Sequence, residues 1–463
     1  LHLSIRRQRQ MCIRDRAYSN QIYFGNGAYG IDEASLIYFG KRSNKLTLLQ
    51  AAILAGTVRS PNKFNPLNNR EIAMNRAETV LASMVREGFI DNLQKNNALN
   101  SELELKQLKK NYNNNSYFVD TVLEELKTIY GPELVSSGGI RVFTTLNSKL
   151  QKRAEEDALH HLEFLEKKIV PRKKKLQVAA VTIDNKNGAV RVMLGGKNYR
   201  RSQFNRALST NRMIGSSFKP FVYLTAMQKL NFHPGTVLID EPTVFKLPHN
   251  KKWEPANFND EYMGPVVLKK AFSKSLNIIS AKLIFKTTPT EVVKTARKFG
   301  FKSSLTKNFS LSLGATGASP FELATAYSVI ANLGTYKDPF YVSKIEDYQG
   351  NILYEHFVGE EKRFEPTDIY PLLDMMKGVM DNGSGRVIRR MGFNYPAGGK
   401  TGTTNNFRDA WFTGFTHDLT TSVWVGYDNN ESMLRPNGKG VTGAHAAAPI
   451  WSLIMTEALD KGD

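Results

Sequence analysis

The feature that most constrains this chain is where its strand-like runs fall. QVAAVTID (177–184) and AVRVMLGG (189–196) are joined by the turn Asn185-Lys186-Asn187-Gly188. KTGTT (400–404), AWFTGFT (410–416) and TSVWVGYD (421–428) come only near the end, the last two linked by His417-Asp418-Leu419. Helical patterns fill the interval, and a final helix is expected over roughly Ala446 to Leu459. Strands at both ends with helices between predict one antiparallel sheet whose edges come from both termini of an α+β domain.

The 463 residues exceed one ordinary compact domain. Residues 1–16 carry five arginines against one aspartate and have no clear periodicity. They read as non-native, translated vector or adapter sequence. Residues 17–115 read as helices and loops, punctuated by GNGAYG and SPNKFNP and ending in a polar connector. Residues 116–176 read as a linker region. It holds an amphipathic helix (YFVDTVLEELKTIYG), a strand (IRVFTTL), a helix capped by Asn147 or Ser148, and a basic run from Lys167 to Lys175. Residues 177–463 form the α+β domain.

Lys+Arg 63 against Asp+Glu 43 gives a net charge of +20, which calls for a polyanionic partner, nucleic acid or an anionic membrane surface. No nucleic-acid-binding motif accompanies that charge. Cys12 is the single cysteine, so an intramolecular disulfide and a Cys-based zinc site are excluded. His160-His161 is the only close histidine pair, and adjacent helical residues point to different faces, so no metal site is expected. The longest apolar-rich uncharged run, Leu48 to Val58, is too short to span a membrane, and no signal peptide is visible.

GNGAYG matches GxGxxG but lacks the strand, helix and acid that a dinucleotide site requires. SxxK occurs at Ser60–Lys63, Ser216–Lys219 and Ser304–Lys307. Only Ser216 opens an apolar helical run, FKPFVYLTAMQKL, with serine and lysine on one face of a first turn. A nucleophilic serine needs a base, and a lysine serves if burial or a second cation keeps its amine neutral. Lys400 in GGKTGTT can be that cation, with Gly402 allowing close backbone approach, and Ser275-Leu276-Asn277 supplies a third element.

SxxK, SxN and KTG in this order resemble the signatures of penicillin-binding proteins and serine β-lactamases. RSQFNRALSTNRMIGSSFKPFVY, LKKAFSKSLN and GGKTGTTNNFRDAWFTGF look like the transpeptidase domain of a class A, bifunctional penicillin-binding protein. YSNQIYFGNGAYGIDEASLIYFGK, LTLLQAAILAGTVRSPNKFNP and RAETVL resemble the C-terminal part of its peptidoglycan glycosyltransferase domain. The resemblance covers about residues 17–460. Ile214 stands where a proline is usual, and GVTGAHAAAPIW varies a commonly Gly-rich stretch.

The resemblance implies a five-stranded antiparallel sheet with helices, behind a mostly helical glycosyltransferase remnant. It implies a D,D-transpeptidase acting through a serine acyl-enzyme and inhibited by β-lactams. Ser216 would be the nucleophile, Lys219 its base, and Ser275 the proton relay beside Lys400. Asn277 would hold the peptide amide, and Thr401 and Thr403 the terminal carboxylate. The oxyanion would lie between the N–H groups of Ser216 and Thr403, and the stem peptide would add to the KTGTT strand. Tyr18, Asn20 and Arg76 align with late glycosyltransferase motifs.

The membrane anchor and the glycosyltransferase's catalytic glutamate are expected upstream of Tyr18, so the chain reads as a fragment. Apolar faces around Ile53, Leu54 and Val58 are then expected to be partly exposed. Implied partners are stem peptides ending in D-Ala-D-Ala, lipid-linked glycan precursor, β-lactams and an anionic membrane surface. The implied place is the outer face of the bacterial cytoplasmic membrane. No cofactor is implied for transpeptidation, and a divalent cation only for a full-length glycosyltransferase. A D,D-carboxypeptidase or β-lactamase, and a non-catalytic β-lactam sensor, remain as alternatives.

Overall fold

The computed structural model describes residues 14–25, 28–61, 63–105, 116–137, 140–168, 175–247, 251–347 and 350–460. Cys12, Asn26 and Gly27 of GNGAYG, Asn62 of SPNK, and Arg172 to Lys174 of the basic run lie outside them.

The chain divides into two compact units. The smaller comprises residues 1–113, 122–143 and 344–355. Its helices include α1 (Ile31–Phe39), α2 (Leu48–Thr57), α3 (Arg70–Arg86) and α4 (Asn92–Leu99). Thr47 and Gln50 satisfy each other's backbone N–H groups at the start of α2, and Asp91 and Gln94 do the same for α4. Of GNGAYG, Gly25 pairs antiparallel with Ala28 in a short two-stranded ribbon before α1, and Gly25 and Gly30 have positive φ. Strands at Ile140–Thr144, Val342–Asp347 and Ile352–Glu355 form a three-stranded sheet.

The expected exposure around α2 is not found. Ile53 and Leu54 are buried together with Phe24, Tyr38 and Leu81, and Val58 packs against the same cluster half-buried. The hairpin, α1 and α3 supply the apolar side chains that cover this face of α2.

The larger unit comprises residues 114–121, 144–343 and 356–463. The 116–176 segment, read as a linker, contributes to both units. The helix α5 (Ser116–Ser137) is divided between them. The helix α6 (Ser148–Lys168), capped by Asn147, puts Leu150, Ala154, Ala158, Leu162 and Leu165 into the larger unit's core. That spacing is one helix face, so α6 belongs to the domain and not to a connector.

At the centre lie β1 (Gln177–Asp184), β2 (Val190–Leu194), β3 (Gly398–Thr403), β4 (Asp409–Phe415) and β5 (Leu419–Gly426). Their order is β3-β4-β5-β1-β2, every pair antiparallel, so the two edges come from the two ends of the domain as predicted. The last helix, α12 (Gly443–Asp460), is slightly longer than the sequence suggests. It packs Trp451, Ile454 and Met455 with Phe412, Val423 and Val425 on one face. By strand alternation Trp411 and Trp424 face the other way. The helices α7 (Lys219–Leu230), α8 (Leu268–Lys274), α9 (Asn277–Thr287), α10 (Pro320–Ala331) and α11 (Pro366–Asp381) lie in the stretch of chain between the two strand groups.

Candidate active site

Three separate elements bring SxxK, SxN and KTG together. Ser216 sits in a single 3-10 turn, Gly215–Phe218, that runs directly into α7, and the Lys219 N–H donates to the Ser216 carbonyl. The serine therefore precedes the α-helix, while Lys219 is its first residue. Tyr327 Oη on α10 donates to the Ser217 carbonyl at 2.7 Å, and Trp411 Nε1 on β4 donates to the Met213 carbonyl at 2.9 Å. These two buried side chains pin the turn from opposite ends.

Ser275 ends α8 in the left-handed region (φ 60, ψ 39), a conformation costing a non-glycine residue roughly 1 kcal/mol or more. The reversal aims the Ser275 hydroxyl at both lysines. Lys219 Nζ donates to the Ser275 carbonyl at 2.7 Å and to Asn277 Oδ1 at 2.8 Å, and lies 3.2 Å from Ser275 Oγ. Lys400 Nζ, from edge strand β3, lies 2.9 Å from the same hydroxyl. One serine hydroxyl thus stands between two amines, and both lysine side chains are fully buried.

Burial sets the electrostatics. It lowers the Lys400 amine from 10.5 to about 7. Burial, reinforced by the nearby Lys400, holds Lys219 well below the ordinary lysine range. A neutral Lys219 has two N–H donors and one lone pair. Asn277 Oδ1 and the Ser275 carbonyl take the donors, which leaves the lone pair for a hydroxyl proton. Among the described residues the half-buried Ser216 hydroxyl has no hydrogen-bond partner.

Gly402 and Gly215 let β3 and the serine turn touch. A Cβ on Gly402 would stand 2.4 Å from Ser217 Oγ and 2.5 Å from the Ile214 carbonyl. Gly215 has φ +52, and a Cβ there would meet the Thr403 carbonyl at 2.6 Å. The backbone segments bearing the N–H groups of Ser216 and Thr403 therefore lie against each other. Thr401 and Thr403 share one face of β3. The Thr401 hydroxyl is 2.6 Å from Ser384 Oγ, and the Thr403 hydroxyl accepts the Gly443 N–H at 3.1 Å. Sequence reasoning missed Ser384, Tyr327 and Trp411. The Gly383-Ser384-Gly385 break after α11 was the only local signal for Ser384, and the other two sit in apolar runs that read as core.

The other two SxxK dyads stand elsewhere. Ser60 and Lys63 belong to the smaller unit, and Ser304 and Lys307 are exposed. Of the three glycosyltransferase-like positions, Tyr18 is exposed, and the Asn20 carbonyl lies 2.5 Å from where a Cβ on Gly30 would be. Arg76 stacks on Phe64 with its Nε buried and without a partner among the described residues.

The profile "Penicillin binding protein transpeptidase domain" matches residues 178–456, and the profile "Transglycosylase" matches residues 15–85. The chain is 31% identical to penicillin-binding protein 1A of Aquifex aeolicus, over 94% of this chain and 69% of that one. It is 32% identical to penicillin-binding protein 2D of Bacillus subtilis, over 96% of this chain and 64% of that one. The solved penicillin-binding protein 1A from Haemophilus influenzae superposes with a TM-score of 0.76 at 25% identity, covering 96% of this chain and 85% of that one. PonA1 from Mycobacterium tuberculosis gives 0.66 at 26% identity, covering 76% and 93%. With the Ser, Lys, Ser, Asn, Lys cluster assembled inside the matched domain, the chain belongs to the class A penicillin-binding proteins, a transglycosylase segment preceding its transpeptidase domain.

Proposed function

We propose that this chain is a peptidoglycan D,D-transpeptidase, with Ser216 as its nucleophile. The observation that carries the reading is the Ser275 hydroxyl held between two buried amines. Ser216 Oγ attacks the carbonyl carbon between two D-alanines while Lys219 takes its proton. The oxyanion is held by the N–H groups of Ser216 and Thr403, where one such donor is typically worth ~10²–10³ in rate. As the C–N bond breaks, the leaving D-alanine amine receives a proton through Ser275, with Lys400 beside it. An amine of a second stem peptide then attacks the ester carbonyl and regenerates the Ser216 hydroxyl.

Asn277 keeps one amide hydrogen for the peptide, since its Nδ2 gives the other to the Ala256 carbonyl. Thr401 and Thr403 bind the terminal carboxylate from the shared face of β3. The free edge of β3 accepts the stem peptide as an added strand. A β-lactam enters by the same acylation, in keeping with the penicillin V complex of PonA1. The glycosyltransferase-like unit works on lipid-linked glycan in the longer protein, with Tyr18, Asn20 and Arg76 supporting fold and substrate position. The whole acts at the outer face of the cytoplasmic membrane. Among the described residues no helix is long and apolar enough to cross a membrane.

A fluorescent penicillin is expected to label the chain once, at Ser216, as read by peptide mapping. Label on Ser60 or Ser304, or undiminished labelling of Ser216→Ala, would overturn the assignment. Steady-state nitrocefin turnover separates the hydrolase alternative, because a stoichiometric burst is expected here and sustained rapid turnover is not.

A further inference from the structure

The helix that carries Asn277 is capped from a distance. Its N-cap residue, Leu276, offers no side-chain acceptor to the first N–H groups of α9. Asn257, twenty residues upstream, does. Its Oδ1 accepts the Asn277 N–H at 2.8 Å and the Ile278 N–H at 3.2 Å. The neighbouring Ala256 carbonyl accepts Asn277 Nδ2 at 2.9 Å. One short loop thus grips Asn277 by backbone and side chain, while Asn277 Oδ1 holds the Lys219 amine.

Asn257 is itself oriented by a buried carboxylate that the proposed acylation does not use. Asp240 ends the strand Val237–Asp240 and is fully buried. Its two oxygens accept Asn257 Nδ2 at 2.9 and 3.0 Å, and Oδ2 also accepts the Met263 N–H at 3.0 Å. The Glu261 carbonyl accepts Asn257 Nδ2 as well, at 2.9 Å. Among the described residues no cation pairs with Asp240. A buried, unpaired carboxylate is costly, and a neutral amide in its place would serve mere packing. What the carboxylate adds is a fixed direction: it has only acceptors, so it forces Asn257 to present Nδ2 inward and Oδ1 to the helix. Without that partner only the Glu261 carbonyl would hold Nδ2 inward, against the cost of facing Nδ2 to two N–H donors if the amide turned over.

We propose that Asp240 and Asn257 are positioning residues for acylation, acting through Asn277 to hold Lys219 in line with Ser216. The pair touches neither the serine nor the substrate. Its work is to fix which way one amide faces, and so to place the acceptor that holds the base. This rests on Ser216 acylation as proposed above. The parent chain is therefore measured first, since failure to acylate there refutes that reading and not this one.

The experiment exchanges the two side chains. Asn257→Asp keeps an acceptor at the helix but sets two carboxylates against each other. Asp240→Asn with Asn257→Asp restores a donor between the two side chains, though not the one to the Glu261 carbonyl: the residue-240 amide donates to the residue-257 carboxylate and accepts the Met263 N–H with its oxygen. The charge then lies at the N-terminus of α9, where it is favoured. The readouts are the acylation rate constant and the apparent dissociation constant for benzylpenicillin, with the thermal unfolding midpoint alongside. Asn257→Asp is expected to slow acylation at least tenfold with the dissociation constant changed less than threefold. The exchange is expected to recover most of the rate. Should Asn257→Asp not fold, Asp240→Asn alone, which removes only the orienting charge, is expected to give a slower rate at an unchanged dissociation constant. Normal acylation by the folded single variants, or an exchange variant that regains its unfolding midpoint but not its rate, would overturn the proposal.

Discussion

At the scale of single residues, the site works by refusing water to two amines. Lys219 and Lys400 are both fully buried, and among the described residues neither is paired with a carboxylate. A carboxylate would stabilise the protonated form and end the basicity of Lys219. Two outcomes follow. Lys219→Ala should abolish acylation by a fluorescent penicillin, and Lys219→Arg should not restore it, because a guanidinium stays protonated. An arginine variant acylating at a near-normal rate would show that position 219 acts only as a cation. The second outcome concerns stability. The Lys400 amine falls from 10.5 to about 7 on folding, so between those values the unfolded chain holds the proton and the folded chain does not. Stability must then rise with pH across that window, and the contribution is flat below about 7 and above 10.5. Lys400→Met removes this group. The stability of the parent minus that of the variant, from urea midpoints, should therefore climb from pH 7 towards 10. A difference that falls with pH would contradict a buried, depressed amine.

At the scale of elements, the decisive contact is backbone on backbone between β3 and the serine turn. Gly402→Ala inserts a methyl 2.4 Å from Ser217 Oγ and 2.5 Å from the Ile214 carbonyl. Neither neighbour can yield easily, since Tyr327 and Trp411 pin the same turn. The substitution should cost about 1–3 kcal/mol of stability, as overpacking does, and slow acylation more than tenfold. Unchanged acylation would mean that the turn moves freely against the strand. The need for a glycine here was legible in the sequence, as were the strand runs and the three motifs, because each is a local pattern of residue types. Asn147 could be read as a cap for the same reason. What was not legible depends on the chain's path. Asn257 caps a helix twenty residues away, and Ser384 meets Thr401 across the break after α11. Nothing near either residue announces its partner. The 148–168 helix reads as part of a linker because its apolar stripe is interleaved with charge, and only the sheet it covers shows that the stripe is core. The burial of Ile53 and Leu54 escapes the sequence for the opposite reason: their cover comes from α1 and α3, and no local pattern shows that these helices fold over α2.

At the scale of the whole molecule, two hydrophobic cores carry one strongly biased surface. A net charge of +20 over 463 residues, with pI near 9.7, cannot be balanced by the ion pairs at the surface, which consume acids as fast as bases. The surplus must face solvent, counter-ions or a polyanion. An anionic leaflet attracts each nearby Lys or Arg by about 1 kcal/mol, and the attraction dies away over a Debye length of ~8 Å at physiological ionic strength. The chain is therefore expected to co-sediment with vesicles containing phosphatidylglycerol at low salt. Binding to vesicles of phosphatidylcholine alone should be absent, and binding to the anionic ones should be lost near ~0.5 M salt, where the screening length shrinks to a few ångströms. Residues 1–16 hold only a net four of the positive charges, so a chain beginning at residue 17 should keep most of the binding. If that shorter chain fails to bind, the attraction belongs to the arginine-rich start and not to the surface of the two units. If binding persists on phosphatidylcholine or survives high salt, apolar insertion and not charge is responsible, and the exposed Phe89 and Leu93 of the smaller unit become the residues to change.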